Sequence, residues 1–139
     1  NVGGTLNYIA FSDDDKLTFA NYNASVFGVR SDIKIRDANS WYHCVVAVDT
    51  LQSTAADRVK FYVNGTETGY SVTGYPAQYT DFTFNQQLQH VIGYNNYYRF
   101  YGYLANIHFI DGQQLDASAF GYTDDQTGIW RPKAYTGTY

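Results

Sequence analysis

The chain has 139 residues, of which 19 % are aromatic and only 16 % charged, and at this length a core forms without a disulfide or metal staple. Nine basic against thirteen acidic residues give a net charge of −4 with no basic block, which argues against nucleic acid as a partner because phosphate binding needs clustered Lys and Arg. No apolar run approaches the ~20 residues of a membrane span, no leader pattern opens the sequence, and the lone cysteine, Cys44, makes no internal disulfide.

In chain order, residues 6–11 are β-prone and residues 12–15 form an acidic turn. Residues 16–20 read as a strand, 21–25 as a polar turn, 26–30 as a further strand and 31–35 as another short one. Residues 41–48 (Trp-Tyr-His-Cys-Val-Val-Ala-Val) are apolar on both pleat faces, the pattern of a strand deep in a sandwich. A polar loop over 51–57 precedes the cleanest alternation in the chain, at 58–64. There Val59, Phe61 and Val63 share one face, and Arg58, Lys60, Tyr62 and Asn64 the other. Asn64-Gly65 follows at once, a pair that tolerates positive φ and signals a tight hairpin.

Residues 69–90 are polar and aromatic, with Pro76 marking a loop. Strand character returns at 80–84 and 89–93, then a Tyr/Asn loop covers 94–99. Residues 100–110 read as the second long strand, closed by Asp111-Gly112. Residues 116–120 predict one helical turn, with Asp116 at its N-cap and Gly121 as its stop. The tail from 123 to 139 reads as irregular, with Trp130 as an anchor. Many short strands with frequent turns predict an all-β, antiparallel two-sheet jelly-roll sandwich, one domain over residues 1–139. The chain contains no Met, so Asn1 is not a translation start and a longer parent protein is expected.

Three kinds of site follow from residue chemistry. A pyranose presents apolar C–H faces, on which aromatic rings stack, and hydroxyl edges, with which Asn and Arg pair. Tyr94, Asn95, Asn96, Tyr97, Tyr98 and Arg99 offer that mixture in one loop, and Tyr75 and Tyr79 add rings nearby in sequence. The competing reading is that these tyrosines supply cross-strand pairs and subunit contacts. Calcium needs six to eight oxygens, and Asp13, Asp14 and Asp15 form the one acidic cluster, without EF-hand spacing and equally readable as a solvated turn. No other cofactor is expected. Glycoside hydrolysis needs two facing carboxylates; Glu67 is the sole glutamate, and no Asp-x-Asp pair falls within a β-like run. A non-enzymatic chain is therefore expected, with His43, His90 and His108 structural and Cys44 a small buried hydrophobe.

Several segments carry a family resemblance. Ser40-Trp41-Tyr42-His43 before the apolar run ending at Asp49, Val59-Lys60-Phe61-Tyr62-Val63-Asn64-Gly65, and Val91-Ile92-Gly93 followed by Phe100-Tyr101-Gly102-Tyr103-Leu104-Ala105-Asn106-Ile107 resemble, in order, the concanavalin A-like jelly roll of laminin-G-like domains. The resemblance implies fold-signature roles for Trp41, His43, Val59, Phe61, Val63, Asn64, Gly65, Gly93, Gly102, Leu104 and Ile107. It places the sandwich contact around Trp41 and Leu104. A narrower likeness, carried by Val46-Ala47-Val48-Asp49-Thr50, by Ile107-His108-Phe109-Ile110-Asp111-Gly112-Gln113 and by the ending from Thr127 to Tyr139, is to jelly-roll domains in virion proteins of tailed bacteriophages. It implies a virion surface protein (tail fibre, tailspike, head or neck appendage, or decoration) folded in the host cytoplasm. Its partners would be other virion subunits, in a homo-oligomer, and a host surface glycan. Such domains imply edge strands beyond both ends of this sequence. A purely structural particle component and, more distantly, a glycan-cleaving enzyme stand as the alternatives.

Overall fold

In the computed structural model, which describes residues 7–21, 27–94 and 99–139, the alternation at 58–64 becomes strand β5 (Val59–Val63). Val59, Phe61 and Val63 are buried, while Lys60 and Tyr62 on the other face are partly exposed. β5 pairs antiparallel with β4 (Cys44–Val48) on one side and β6 (Thr66–Glu67) on the other. The β5–β6 turn is the expected Asn64-Gly65 pair, with φ of 49° and 83°. Both values are positive, as the two-residue hairpin that matches strand twist demands. Asn64 also fixes the start of β4: the His43 N–H donates to Asn64 Oδ1 at 2.9 Å, and the Asn64 N–H donates to the His43 carbonyl at 2.8 Å.

The second sheet has four strands in the order β1-β2-β3-β7. β1 (Asn7–Phe11), β2 (Lys16–Asn21) and β3 (Gly28–Lys34) form a meander, and β7 (Tyr70–Gly74) adds to β3. The readings of 26–30 and 31–35 as separate strands merge into the one strand β3, and Val26 lies outside the described residues. A register shift between Lys16 and Thr18 is held by Ser31, which is fully buried. Ser31 Oγ accepts from the Leu17 N–H at 3.1 Å and donates to the Ile33 carbonyl at 2.9 Å, satisfying the ladder group that the bulge displaces.

The core lies between these sheets. Leu17 and Phe19 of β2, Phe27 and Val29 beside or in β3, and Val59 and Phe61 of β5 form one cluster. Cys44, Val46, Val48, Tyr70, Tyr75, Phe82 and Phe84 pack around it. Phe19 meets Phe27, Phe82 and Phe84 with ring centroids 5.2–6.0 Å apart. Phe19, fully buried among them, contributes up to about 3 kcal/mol of transfer free energy. The all-β antiparallel sandwich expected from the strand pattern is therefore the architecture, and antiparallel pairing holds in every ladder.

Its seam differs from the expectation. Trp41 is 68 % exposed and Leu104 49 % exposed, so the sandwich does not close around them. β4 starts at Cys44 rather than 41 and buries only Ala47, because it is a sheet edge. Trp41 leaves a turn in which Ser40 Oγ donates to Asp37 Oδ2, ahead of the ladder. Residues 80–84 and 89–93 form no strand; residues 83–85 are a short 3₁₀ turn whose Phe84 caps the core. Residues 100–110 likewise form no ladder, and Gly102, Leu104 and Ile107 are exposed rather than buried. Strands read as loop or tail are β6, β7, β8 (Gly121–Thr123) and β9 (Trp130–Pro132). The turn at Ala117–Ala119 forms as expected, with Asp116 accepting from the Ser118 N–H at 2.8 Å.

Trp130 is the anchor its position suggested. Its indole lies between Gly65 of the hairpin turn and Gly121 of β8, and 5.7 Å from the His43 ring. A β-carbon on either glycine would fall 2.2–2.4 Å from ring carbons. The indole thereby ties the β8–β9 hairpin to the β5–β6 turn.

Candidate functional site

Ile92, Gly93, Tyr94, Arg99 and Phe100 line the cleft of greatest chemical interest. Gly93 takes φ of 81°, a left-handed turn that favours glycine. Its carbonyl accepts from the Phe100 N–H at 2.8 Å, and Tyr94 and Arg99 form an isolated antiparallel bridge. These contacts close a hairpin base that fixes Tyr94 and Arg99 side by side. The cleft has a volume of about 320 Å³ and is lined by Ile92, Gly93, Tyr94, Arg99 and Phe100. That size lies at the lower end of small-ligand sites. Gly93 leaves the floor open, since nothing lies within 4 Å of where its β-carbon would be. Phe100 rests on Phe11 of the edge strand β1, with centroids 6.0 Å apart, which couples the hairpin to the four-stranded sheet.

The arginines separate into two groups. Arg30 pairs with Asp14, Arg36 with Asp15 and Arg131 with Asp124. Arg58 donates to the carbonyls of Gln52, Ser53 and Pro76 at 2.8–3.0 Å, holding the 51–57 loop to the Pro76 turn. The exposed Arg99 guanidinium makes no ion pair or side-chain hydrogen bond among the described residues. A forked, planar donor beside two aromatic side chains is suited to a carboxylate or a vicinal diol pair.

The expected sugar residues are only partly brought together. Tyr94 and Arg99 line the cleft; Asn95, Asn96, Tyr97 and Tyr98 lie outside the described residues. Tyr75 packs against the core, which uses its ring for stability. Tyr79 is 72 % exposed in a left-handed turn, its N–H donating to the Thr50 carbonyl at 3.0 Å, and it is not part of the cleft. Ile92 and Phe100 complete the cleft, and they were read only as strand residues.

A second cleft of about 300 Å³ lies on the four-stranded sheet, lined by Tyr8, Thr18, Ala20, Asn21, Phe27, Gly28 and Arg30. Tyr8, Ala20 and Gly28 are successive cross-strand partners, as are Thr18 and Arg30, so small floor residues sit beside polar walls on one sheet face. Period-two alternation in β1–β3 could have found it.

The acidic turn is committed to its own fold. Ser12 Oγ donates to Asp14 Oδ1 at 2.6 Å; this bond first, with Arg30 and Lys16 nearby, holds the Asp14 carboxyl below its ordinary range. Arg36 Nε donates to Asp15 at 3.0 Å. Among the described residues no three His, Cys, Asp or Glu are placed to hold a metal ion. Glu67 accepts from the Tyr70 hydroxyl at 2.7 Å, and Lys60 lies 3.9 Å away. Burial, aided by that bond, raises the Tyr70 phenol well above its usual range.

The histidines and Cys44 pack as side chains of the framework. His108 Nδ1 lies 3.0 Å from the Tyr139 hydroxyl, within an aromatic group that includes Phe120 and Tyr135. His90 Nε2 contacts the Gln86 carbonyl at 3.2 Å. Burial first, and His108 second, holds His43 below its ordinary value. Burial pushes the Cys44 thiol up to about 11.

Comparison with known proteins agrees with this geometry. The family model described as the concanavalin A-like lectin/glucanases superfamily matches residues 3–118. Comparison with curated proteins and with solved structures returns no match. With the family model spanning most of the chain and an antiparallel sandwich beneath it, the chain belongs to the concanavalin A-like lectin/glucanase superfamily.

Proposed function

We propose that this chain is a non-catalytic glycan-binding module, its ligand an acidic or hydroxyl-rich sugar held at the 92–100 hairpin base. The observation that carries the reading is Arg99: a guanidinium without an acceptor among the described residues, beside the Tyr94 and Phe100 rings of one cleft. The rings supply stacking surface for a pyranose face, and the guanidinium fork meets its carboxylate or hydroxyl edge. A shallow site of this kind binds weakly, and many copies on one particle raise avidity. The resemblance to tailed-phage virion domains supports a place on the outside of a particle, as an appendage or decoration that contacts the host surface. The engagement of Glu67 by Tyr70 and of Asp14 and Asp15 by arginines supports a binding role over glycoside cleavage, which needs a free pair of facing carboxylates.

A glycan array probed with multivalent protein tests the reading. Binding is expected to acidic or hydroxyl-dense glycans, and to be lost in Arg99→Ala and Tyr94→Ala while Tyr79→Ala binds as wild type. Equal binding by all three variants, or none by wild type, overturns it. The second reading, a structural particle component without a ligand, is favoured by the apolar side chains exposed between 100 and 109. Deleting 94–99 separates the two: lost adsorption by intact particles supports binding, whereas failed assembly supports structure.

A further inference from the structure

Asn64-Gly65 carries a reactivity separate from its role as a turn. Asn64 is the only asparagine of the chain followed by glycine. In an unfolded chain such a pair cyclises, because glycine has no side chain to block the approach. The Gly65 nitrogen attacks Asn64 Cγ and an N–C bond forms. The amide nitrogen leaves as ammonia and takes the Gly65 proton with it. Water then opens the succinimide at either carbonyl, giving aspartate or, with the main chain rerouted through Cβ, isoaspartate. Ring closure needs Asn64 Cβ eclipsed with the Gly65 nitrogen about the Cα–C bond. The fold holds it elsewhere. Its φ of 49° lies in the left-handed region, where ψ of about 30–60° turns Cβ almost opposite that nitrogen. Asn64 Oδ1 accepts from the His43 N–H at 2.9 Å, and the Asn64 N–H donates to the His43 carbonyl at 2.8 Å. Neither the side chain nor the main chain can rotate into position without breaking one of these bonds.

We propose that Asn64 is a latent deamidation site, silent while the Trp130 indole sits on the turn and converted to aspartate and isoaspartate when the β8–β9 hairpin lifts away. The indole packs directly on Gly65, leaving no room there even for a β-carbon. It is carried by β9, and among the described residues the β8–β9 hairpin joins neither larger sheet by a ladder. A two-stranded hairpin is marginal by itself, so its release is a local opening that leaves the core cluster of Phe19, Val59 and Phe61 intact. The reaction then records how often the turn is uncovered. Its products also keep the turn open. Isoaspartate adds an atom to the main chain, which a two-residue hairpin has no room for, and either product adds a negative charge beside the half-buried His43.

The test follows residue 64 by peptide mass mapping of the full chain held in heavy-oxygen water at mildly alkaline pH, where succinimide opening writes the label into the product. Wild type held in urea is expected to label at Asn64 promptly. Folded wild type is expected to label at least about tenfold more slowly, because only the open fraction reacts. Trp130→Ala, with circular dichroism showing the sheets intact, is expected to fall between the two, at least about threefold faster than folded wild type. Trp130→Leu, which keeps apolar bulk without the indole, is the second variant should Trp130→Ala lose its sheets, and the same acceleration is expected. Hydrogen exchange at the Asn64 N–H, which is bonded to the His43 carbonyl, is expected to quicken in step with labelling. No labelling in urea, or equal rates in folded and urea-held wild type, overturns the proposal. So does a folded Trp130 variant that labels as slowly as wild type, or one that labels fast while the Asn64 amide stays protected.

Discussion

Replacing Gly121 with alanine tests whether Trp130 joins the two hairpins. The added methyl would fall 2.4 Å from Cζ2, 2.5 Å from Cε2 and 2.7 Å from Nε1 of the indole. Favourable carbon contacts lie near 3.5–4.0 Å, so the ring must move by an ångström or more. Gly121 is buried and its φ lies outside the left-handed region, so the cost is steric and not conformational. Overpacking of this kind costs about 1–3 kcal/mol. Gly65→Ala meets the same ring at 2.2 Å and adds left-handed strain at φ of 83°, worth a further ~1–2 kcal/mol. Equilibrium urea unfolding followed by far-UV circular dichroism measures each variant, with and without Trp130→Ala. In the Trp130→Ala background the Gly121→Ala cost is expected to vanish, giving a coupling energy of about 1–3 kcal/mol. Additive effects, or a Gly121→Ala variant within about 0.5 kcal/mol of wild type, would refute the packing argument.

Other perturbations read other parts of the fold. Ser31→Ala leaves the Leu17 N–H at the β2 bulge without its acceptor and is expected to lower unfolding free energy by about 1–3 kcal/mol; a change under a few tenths in urea melts would show that the bulge holds itself. His43 is held below its ordinary 6.5 by burial and by His108, so the unfolded chain binds more protons between the two values. Stability is then complete above pH 6.5 and falls as pH drops toward the folded value. His43→Gln is expected to flatten that slope in melts from pH 7 to 5, and an unchanged slope would point to another group. Cys44, its thiol raised to about 11, is expected to alkylate at pH 8 at least about tenfold more slowly than in the urea-unfolded chain; equal rates would mean it is open to solvent.

The local parts of the fold were legible where a signal was itself local. Val59, Phe61 and Val63 alternate without interruption, and Asn64-Gly65 needs only its own φ preferences, so β5 and its turn follow from neighbouring residues alone. The meander β1–β3 followed for the same reason, apart from the split reading of β3. β7 did not, because Tyr70–Gly74 gains its ladder only from β3, some forty residues earlier in the register Ser31↔Tyr70. Trp41 and residues 100–110 show the opposite error. Their apolar character is real, but burial also requires a facing element, and none of the described strands covers them. At the cleft, Tyr94 and Arg99 were visible as chemistry, whereas Ile92 and Phe100 entered through the Gly93 turn, which composition does not reveal. Arg99 stood apart only once the partners of the other arginines were known.

The most direct measurement is a heteronuclear NMR titration of the chain with an acidic oligosaccharide at millimolar concentration. Saturable shifts confined to residues 92–100, including the Arg99 side-chain Nε–H, and abolished by Arg99→Ala, are the expected result. Shifts centred on the Tyr8–Thr18–Arg30 face, or no shifts at saturating sugar, would contradict a binding site at this hairpin.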